Sequence, residues 1–281
     1  MKSKKIKNRI SSMAMIVFFS FLAVLIILPI YALLIASFKP GGDLLQYGLN
    51  LELNLPRMSL DNYKLLFYGK HDYWIWFYNS IILTVITVLG TLIISAFVGY
   101  GFAAYEFKGR NLLFIIVLII LSIPLEVVML PLYKQMSTMK MMDSYTAVVL
   151  PFLAHASTIF FFRQYLLSIP KSLLEAGRID GATEYGIFFR LIIPIMKPAF
   201  AAMAILNGMN AWNNYLWPLL VIRSADKYTL TLGLNTLINP YGDNYSLLVV
   251  GSFFSIIPIF VLFLCFQKYF IEGMTAGAVK G

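Results

Sequence analysis

Residues 78–104 read Tyr78-Asn79-Ser80-Ile81-Ile82-Leu83-Thr84-Val85-Ile86-Thr87-Val88-Leu89-Gly90-Thr91-Leu92-Ile93-Ile94-Ser95-Ala96-Phe97-Val98-Gly99-Tyr100-Gly101-Phe102-Ala103-Ala104, without one charged side chain. A helix needs about 20 predominantly apolar residues to cross a bilayer's hydrocarbon. This stretch predicts such a helix. Working outward, comparable apolar blocks occupy residues 13–37, 112–136, 147–167, 199–222 and 246–270, the block at 112–136 being interrupted by Pro124 and Pro131. The composition agrees: of 281 residues, 60% are hydrophobic and 12% charged. The fold class is therefore all-α, a polytopic membrane protein of six spans forming a single domain over 1–281. A membrane β-barrel would instead alternate apolar and polar residues in segments of about ten.

The formal charge is +9, and its placement explains it better than a nucleic-acid partner does. Of the 22 Lys and Arg residues, fourteen fall in the flanks on one side of the six spans: the N-terminus, the connection after 104, the region 163–197 and the C-terminus. Cytoplasmic flanks collect Lys and Arg, so both termini are expected in the cytoplasm. The basic N-terminus, 1–12, followed by an apolar block resembles a signal peptide. The block is too long and lacks a small-x-small cleavage site, which makes it an uncleaved first span. The outer connection contains Tyr73, Trp74 and Trp76, read as an interfacial aromatic belt. The single cysteine, Cys265, permits no disulfide within the chain.

The inner loop, 168–197, holds the most informative polar sequence. Pro170 suits the first turn of a helix, with Ser168 available as its cap. Leu173, Ala176, Gly177 and Asp180 share a face at helical spacing, and Gly181 stops the helix by tolerating a left-handed conformation. Thr183 can cap a second short helix, with Glu184 at its positive end. Small residues on the turn would let another surface approach closely, with Glu175, Arg178 and Asp180 around it. The residues alone fit an amphipathic connector lying on the bilayer equally well.

The spacing Glu175-Ala176-Gly177, three residues, Gly181, nine residues, Leu191-Ile192-Ile193-Pro194 resembles the docking-loop pattern of permease subunits of binding-protein-dependent ABC importers. That pattern is Glu-Ala-Ala, then Gly, then Ile-x-Leu-Pro. The departures are Gly177, Leu191 and Ile193. Gly177 is expected to loosen the first helix, since glycine costs about 0.5–1 kcal/mol against alanine in a helix interior. The run from Ala103 to Arg110 is similar to the second-span exit of maltose-type carbohydrate permeases. The ending from Gln267 to Gly281, which includes the tail 271–281, is similar to that subfamily's MalG-like subunits. In appearance the chain is nearest to permeases for arabinose-containing oligosaccharides in Gram-positive bacteria. The resemblance implies a coupling helix that fits an ATPase subunit, with Glu175 and Gly181 as coupling positions and Ala176, Gly177, Arg178 and Asp180 around them. It implies a heterodimer of two related permeases, two ATPase subunits carrying ATP and Mg, an extracytoplasmic sugar-binding protein and a bacterial cytoplasmic membrane. No cofactor is expected on this chain.

Polar side chains inside spans are costly and face protein or a water-filled path. Asn207, Asn210 and Asn214 share one helical face at i, i+3, i+7. Their amides match sugar hydroxyls without adding charge. Tyr215 and Trp217 offer stacking surfaces. The alternative is that the asparagines join helices and Trp217 belongs to the outer belt. Glu126, between two prolines, either accepts sugar hydroxyls or pairs with a neighbouring helix. His155, Ser157 and Thr158 are weaker candidates, the histidine reading as a packed hydrogen-bonding residue. Gly99-Tyr100-Gly101 lacks the strand–turn–helix context of a dinucleotide fingerprint and reads as close helix packing. Two histidines and one cysteine give no metal cluster, and no catalytic nucleophile–base arrangement is visible. The competing classes are an ABC permease for glycerol phosphate or an amino acid, an ion-coupled secondary transporter, and an intramembrane enzyme.

Overall fold

The computed structural model describes residues 2–49, 51–238 and 244–278. The side chains of the basic N-terminal cluster and of the tail from residue 270 lie outside the described residues. Among the described residues there is no strand. In chain order the helices are α1 (Lys2–Ser37), α2 (Gly41–Tyr47), α3 (Asp61–Tyr68), α4 (Tyr73–Ala104), α5 (Arg110–Leu121), α6 (Leu125–Thr138), α7 (Tyr145–Val149) and α8 (Ala156–Leu167). There follow α9 (Lys171–Ile179), α10 (Glu184–Ile187), α11 (Ile193–Ile195), α12 (Lys197–Trp212), α13 (Leu216–Val221), α14 (Leu230–Thr236), α15 (Tyr245–Phe254) and α16 (Ile256–Ala278).

Four segments are long and apolar enough to cross a membrane: Ser12–Ser37, Tyr73–Ala104, Tyr145–Leu167 and Tyr245–Tyr269. Two bent pairs raise the number to 6: α5 with α6 at 104°, and Glu184–Ile195 with α12 at 74°. The first bend falls where Pro124 precedes α6, as the proline break predicts. The expected single helix over 199–222 is corrected. It ends at Trp212 and resumes at Leu216. At the break the Asn213 side chain donates to the Met209 carbonyl at 3.0 Å, a local bond that competes with the helical ladder.

The chain divides into two compact units, Met1–Tyr73 with Leu234–Ile256, and Trp74–Gly233 with Ile257–Gly281. In the first, α15 packs on α2, α3 and the end of α1. Asn62 donates to the carbonyls of Ser37 at 2.9 Å and Lys39 at 2.7 Å, satisfying acceptors that the end of α1 leaves open. The buried Tyr73 donates to the Gly251 carbonyl at 2.9 Å.

The second unit is built around α4. One core joins Val88, Leu92 and Ala96 of α4 to Phe162 and Leu166 of α8, Met203 and Ala204 of α12, and Ile187, Phe188 and Ile192 of the inner loop. Gly99 lies against Phe162 and the Arg163 backbone, leaving little room for a Cβ, which fits the close-packing reading of that glycine. At its start α4 clasps the segment before α14. Trp76 Nε1 donates to the Ala225 carbonyl at 3.1 Å, Asn79 to those of Asp226 at 2.8 Å and Tyr228 at 3.0 Å, and the Leu230 N–H to Ser80 at 2.7 Å. The aromatic-belt expectation is therefore corrected for Tyr73 and Trp76, which are buried and hydrogen-bonded; Trp74 remains at the surface.

Asp143, in left-handed backbone at φ 57°, ties two connections together. Its carboxylate accepts from the Ser224 hydroxyl at 2.6 Å, from the Arg223 and Ser224 N–H groups at 3.0 Å each, and from Lys227 at 3.0 Å. These donors, the Ser224 hydroxyl foremost, hold the carboxyl well below the usual range.

Gly233 sits against the Trp76 indole, where a Cβ would come within 2.1 Å of the ring. Gly233→Ala is expected to cost about 1–3 kcal/mol as overpacking. Thermal unfolding of the purified variant checks this, with a fall of about 2–4 °C per kcal/mol.

Candidate functional site

The inner loop folds as two short helices meeting at a glycine turn. Helix α9 ends in a double closure: the Gly181 N–H donates to the Arg178 carbonyl at 3.0 Å, and the Ala182 N–H to the Gly177 carbonyl at 3.0 Å. Gly181 has φ 76°, which an L side chain adopts only with strain. The Thr183 hydroxyl accepts from the Gly186 N–H at 3.1 Å and caps α10. Past α10 the chain makes a π-helical turn over Phe188–Ile192.

An ion pair joins the two helices. Arg178 Nε donates to Glu184 at 2.7 Å, with a second contact at 3.4 Å. The same carboxylate accepts from the Tyr105 hydroxyl at 2.6 Å, just beyond the end of α4, and from Tyr100 of α4 at 3.4 Å. Burial and then the Glu184 hydrogen bond push the Tyr105 hydroxyl well above its ordinary value, so it remains a donor. The pair holds the glycine turn in one shape, and the phenol ties that shape to α4.

The shared face of α9 divides between inside and outside. Gly177 is buried, with Leu173 and Leu174 half-buried beside it, whereas Glu175, Ala176, Arg178, Asp180 and Gly181 are exposed. Ile179 is 85% exposed, so the outward face carries an apolar group as well. The expectation of looseness at Gly177 is also corrected. A Cβ there would lie 3.0 Å from Leu191 and 3.1 Å from Ile187, so the missing methyl brings the second helix close. Ser168 closes α8 by donating to the Tyr165 carbonyl at 2.6 Å, while Pro170 takes the position before α9.

Away from the loop, a cavity of about 270 Å³ lies among α4, α12, α13 and the segment that leads into α8. Asn207, Asn210 and Asn214 all line it, although Asn214 stands past the end of α12. Asn207 is paired, its amide donating to Thr158 of α8 at 3.0 Å. Asn210 is exposed to the cavity and makes no hydrogen bond among the described residues. Asn214 receives the Thr231 hydroxyl on its carbonyl at 3.0 Å and the Trp217 N–H on its side chain at 3.4 Å.

The remaining candidates stand elsewhere. Trp217 is fully buried, its indole donating to the Ala147 carbonyl at 2.9 Å, so neither stacking on a ligand nor a place in the outer belt fits it. Tyr215 packs half-buried against the apolar cluster that joins Leu83, Met136, Val148 and Trp217. Glu126 is exposed in the first turn of α6, with no ion pair among the described residues; its neighbour Leu125 lines the cavity. His155 reaches the cavity and bonds Ser157 at 2.7 Å.

Sequence reasoning missed the opposite wall. Ser80, Thr87 and Thr91 of α4 line the cavity and share a helical face with Thr84 and Ser95. Spacings of 4, 3, 4 and 4 within an otherwise apolar helix are a readable signal. The Thr84 and Ser95 hydroxyls are buried without partners among the described residues. Together the walls offer amide and hydroxyl groups in an apolar frame, chemistry suited to a neutral polyol.

Residues 92–276 match the family of binding-protein-dependent transport system inner membrane components. The arabinooligosaccharides transport system permease protein AraQ of Bacillus subtilis (strain 168) is 52% identical over 268 residues, covering 95% of each chain. Its namesake in Halalkalibacterium halodurans is 48% identical, covering 99% of this chain and 100% of that one. In fold, the chain matches a subunit of a bacterial ABC transporter involved in the import of the acidic polysaccharide alginate, with TM-score 0.81 and 24% identity over 94% of this chain and 98% of that one. The bent spans, the inner glycine-turn loop and these likenesses together make the chain a member of the binding-protein-dependent ABC transport permease family, a membrane protein whose relatives are permease subunits.

Proposed function

We propose that the chain is one of two related permease subunits that carry a short arabinose-containing oligosaccharide across the bacterial cytoplasmic membrane by alternating access. A separate pair of ATPase subunits binds ATP and Mg, and an extracytoplasmic binding protein delivers the sugar. The names of the two AraQ relatives support the cargo. Both termini and the 168–197 loop face the cytoplasm, in keeping with the Lys and Arg distribution.

The observation that carries the reading is the Arg178–Glu184–Tyr105 connection. It makes the exposed turn of the loop a rigid projection, while Ile187, Phe188 and Ile192 enter the core shared with α4, α8 and α12. Helices α4 and α12 also supply cavity walls, and α8 holds the lining residue Asn207 through Thr158. A push on Glu175, Ala176 and Gly181 by an ATPase is thereby delivered to the helices around the sugar. Such coupling acts in both directions, so loaded binding protein raises ATP hydrolysis. Asn210 offers the sugar an uncommitted amide, and Asn207 holds α12 to α8.

Gly181→Val strains the left-handed turn and Glu175→Lys reverses charge on the exposed face. Each is expected to lower ATP-driven uptake at least tenfold in proteoliposomes of the complete complex, with membrane insertion intact. Wild-type uptake by both would remove the loop from coupling. Glu184→Gln and Tyr105→Phe are expected to weaken the stimulation of ATP hydrolysis by loaded binding protein while leaving the basal rate near wild type; unchanged stimulation in both would exclude the latch. For the cavity, Asn210→Ala loses a hydrogen bond of about 0.5–1.5 kcal/mol, or about 2–12-fold in apparent sugar affinity, with unchanged unfolding temperature. Asn207→Ala is expected to lower that temperature instead. Identical uptake kinetics in Asn210→Ala would remove it from the path.

A further inference from the structure

A second set of polar groups lies at the ends of α5 and α8, away from both the cavity and the glycine turn. The Arg163 guanidinium, one turn before the end of α8, lies 3.7 Å above the Phe114 ring of α5. Arg110 opens α5 four residues before Phe114, so it stands on the same face, one turn away. Arg110 gives one donor to the Tyr105 carbonyl at 3.1 Å. Arg163 makes no hydrogen bond among the described residues, and its Nε is buried. Neither guanidinium has a carboxylate partner there; the nearby Glu106 is engaged by Lys171 at 3.5 Å.

Two permanent cations against one face of α5, one from each of two adjoining membrane helices and without an anion, are costly. Stacking on Phe114 offsets part of that cost for Arg163 but supplies no negative charge. Arg110 opens α5 just after the span that α4 makes, and Arg163 lies one turn before the end of the span that α8 completes, so a phosphate at the lipid headgroup level can reach both. The first turn of α5 has no side-chain cap, and its N–H groups add to the same field. Beyond the cations α5 exposes Leu113, Ile116 and Ile120, an apolar track on which acyl chains can lie. A soluble anion would make no use of that track.

We infer that Arg110 and Arg163 form a site for the phosphate of an anionic phospholipid, seated between α5 and α8 with its chains along α5. Such a lipid neutralises the pair and braces α8, whose Thr158 holds the cavity-lining Asn207.

The test uses the full chain, purified and delipidated, then given phosphatidylglycerol, phosphatidylcholine with the same acyl chains, or inorganic phosphate. Thermal unfolding and native mass spectrometry of bound lipid are read together. Phosphatidylglycerol is expected to raise the unfolding temperature by about 2–4 °C and to remain bound, with smaller effects from phosphatidylcholine and none from phosphate. Arg163→Gln and Arg110→Gln should each lose at least half of that rise and most of the bound lipid, while Arg163→Lys keeps part of both. Should Arg163→Gln fail to fold, Arg110→Gln at the half-buried helix start decides. Equal effects of the two lipids, or full retention of the rise in Arg110→Gln, overturn the site. A rise with inorganic phosphate equal to that with phosphatidylglycerol overturns the lipid as its occupant.

Discussion

In hydrocarbon no water is available to a peptide group, so a spanning helix has to close its own hydrogen bonds, and any break needs substitutes from protein or a wet cavity. The breaks in this chain obey that constraint. Where α12 stops, Asn213 bonds back to Met209, Thr231 reaches the Asn214 carbonyl, and Asn214 receives the Trp217 N–H. The interruption is thereby repaired on one side and opens on the cavity on the other. Both Asn210 and Asn214 line the cavity across the break.

The same economy of polar groups governs the inner loop. One carboxylate, Glu184, serves the partner helix through Arg178 and the spanning helix through Tyr105. An exposed ion pair alone contributes little to stability. Its value here is geometric, because it fixes the angle between two helices too short to be stable on their own. Gly177 works from the inside by letting Ile187 and Leu191 approach. The absence of a methyl, which in an isolated helix means flexibility, here means contact.

What could be read from the residues followed from strong local rules. Long uncharged runs located the crossing segments, proline before α6 located a bend, and Gly181 and Thr183 located the turn and its cap. The misreadings share a different cause. Residue type alone points Trp76, Tyr73 and Trp217 to a membrane interface or a sugar, whereas their polar atoms find carbonyls distant in sequence. The Arg178–Glu184 pair spans six positions across a turn, a separation that no helical period connects. The hydroxyl face of α4 is legible in its spacing, but serine and threonine are only weakly polar and stand out little among so many aliphatic neighbours.

The Asp143 carboxylate has a consequence for how such a chain can vary. It closes a ring between the connection after α6 and the one after α13 by taking four donors from the second. Two segments some eighty residues apart are therefore measured against each other, and neither can gain or lose a residue without dissolving the knot. The two connections thus act as one structural unit, even though each taken alone looks like an ordinary surface loop.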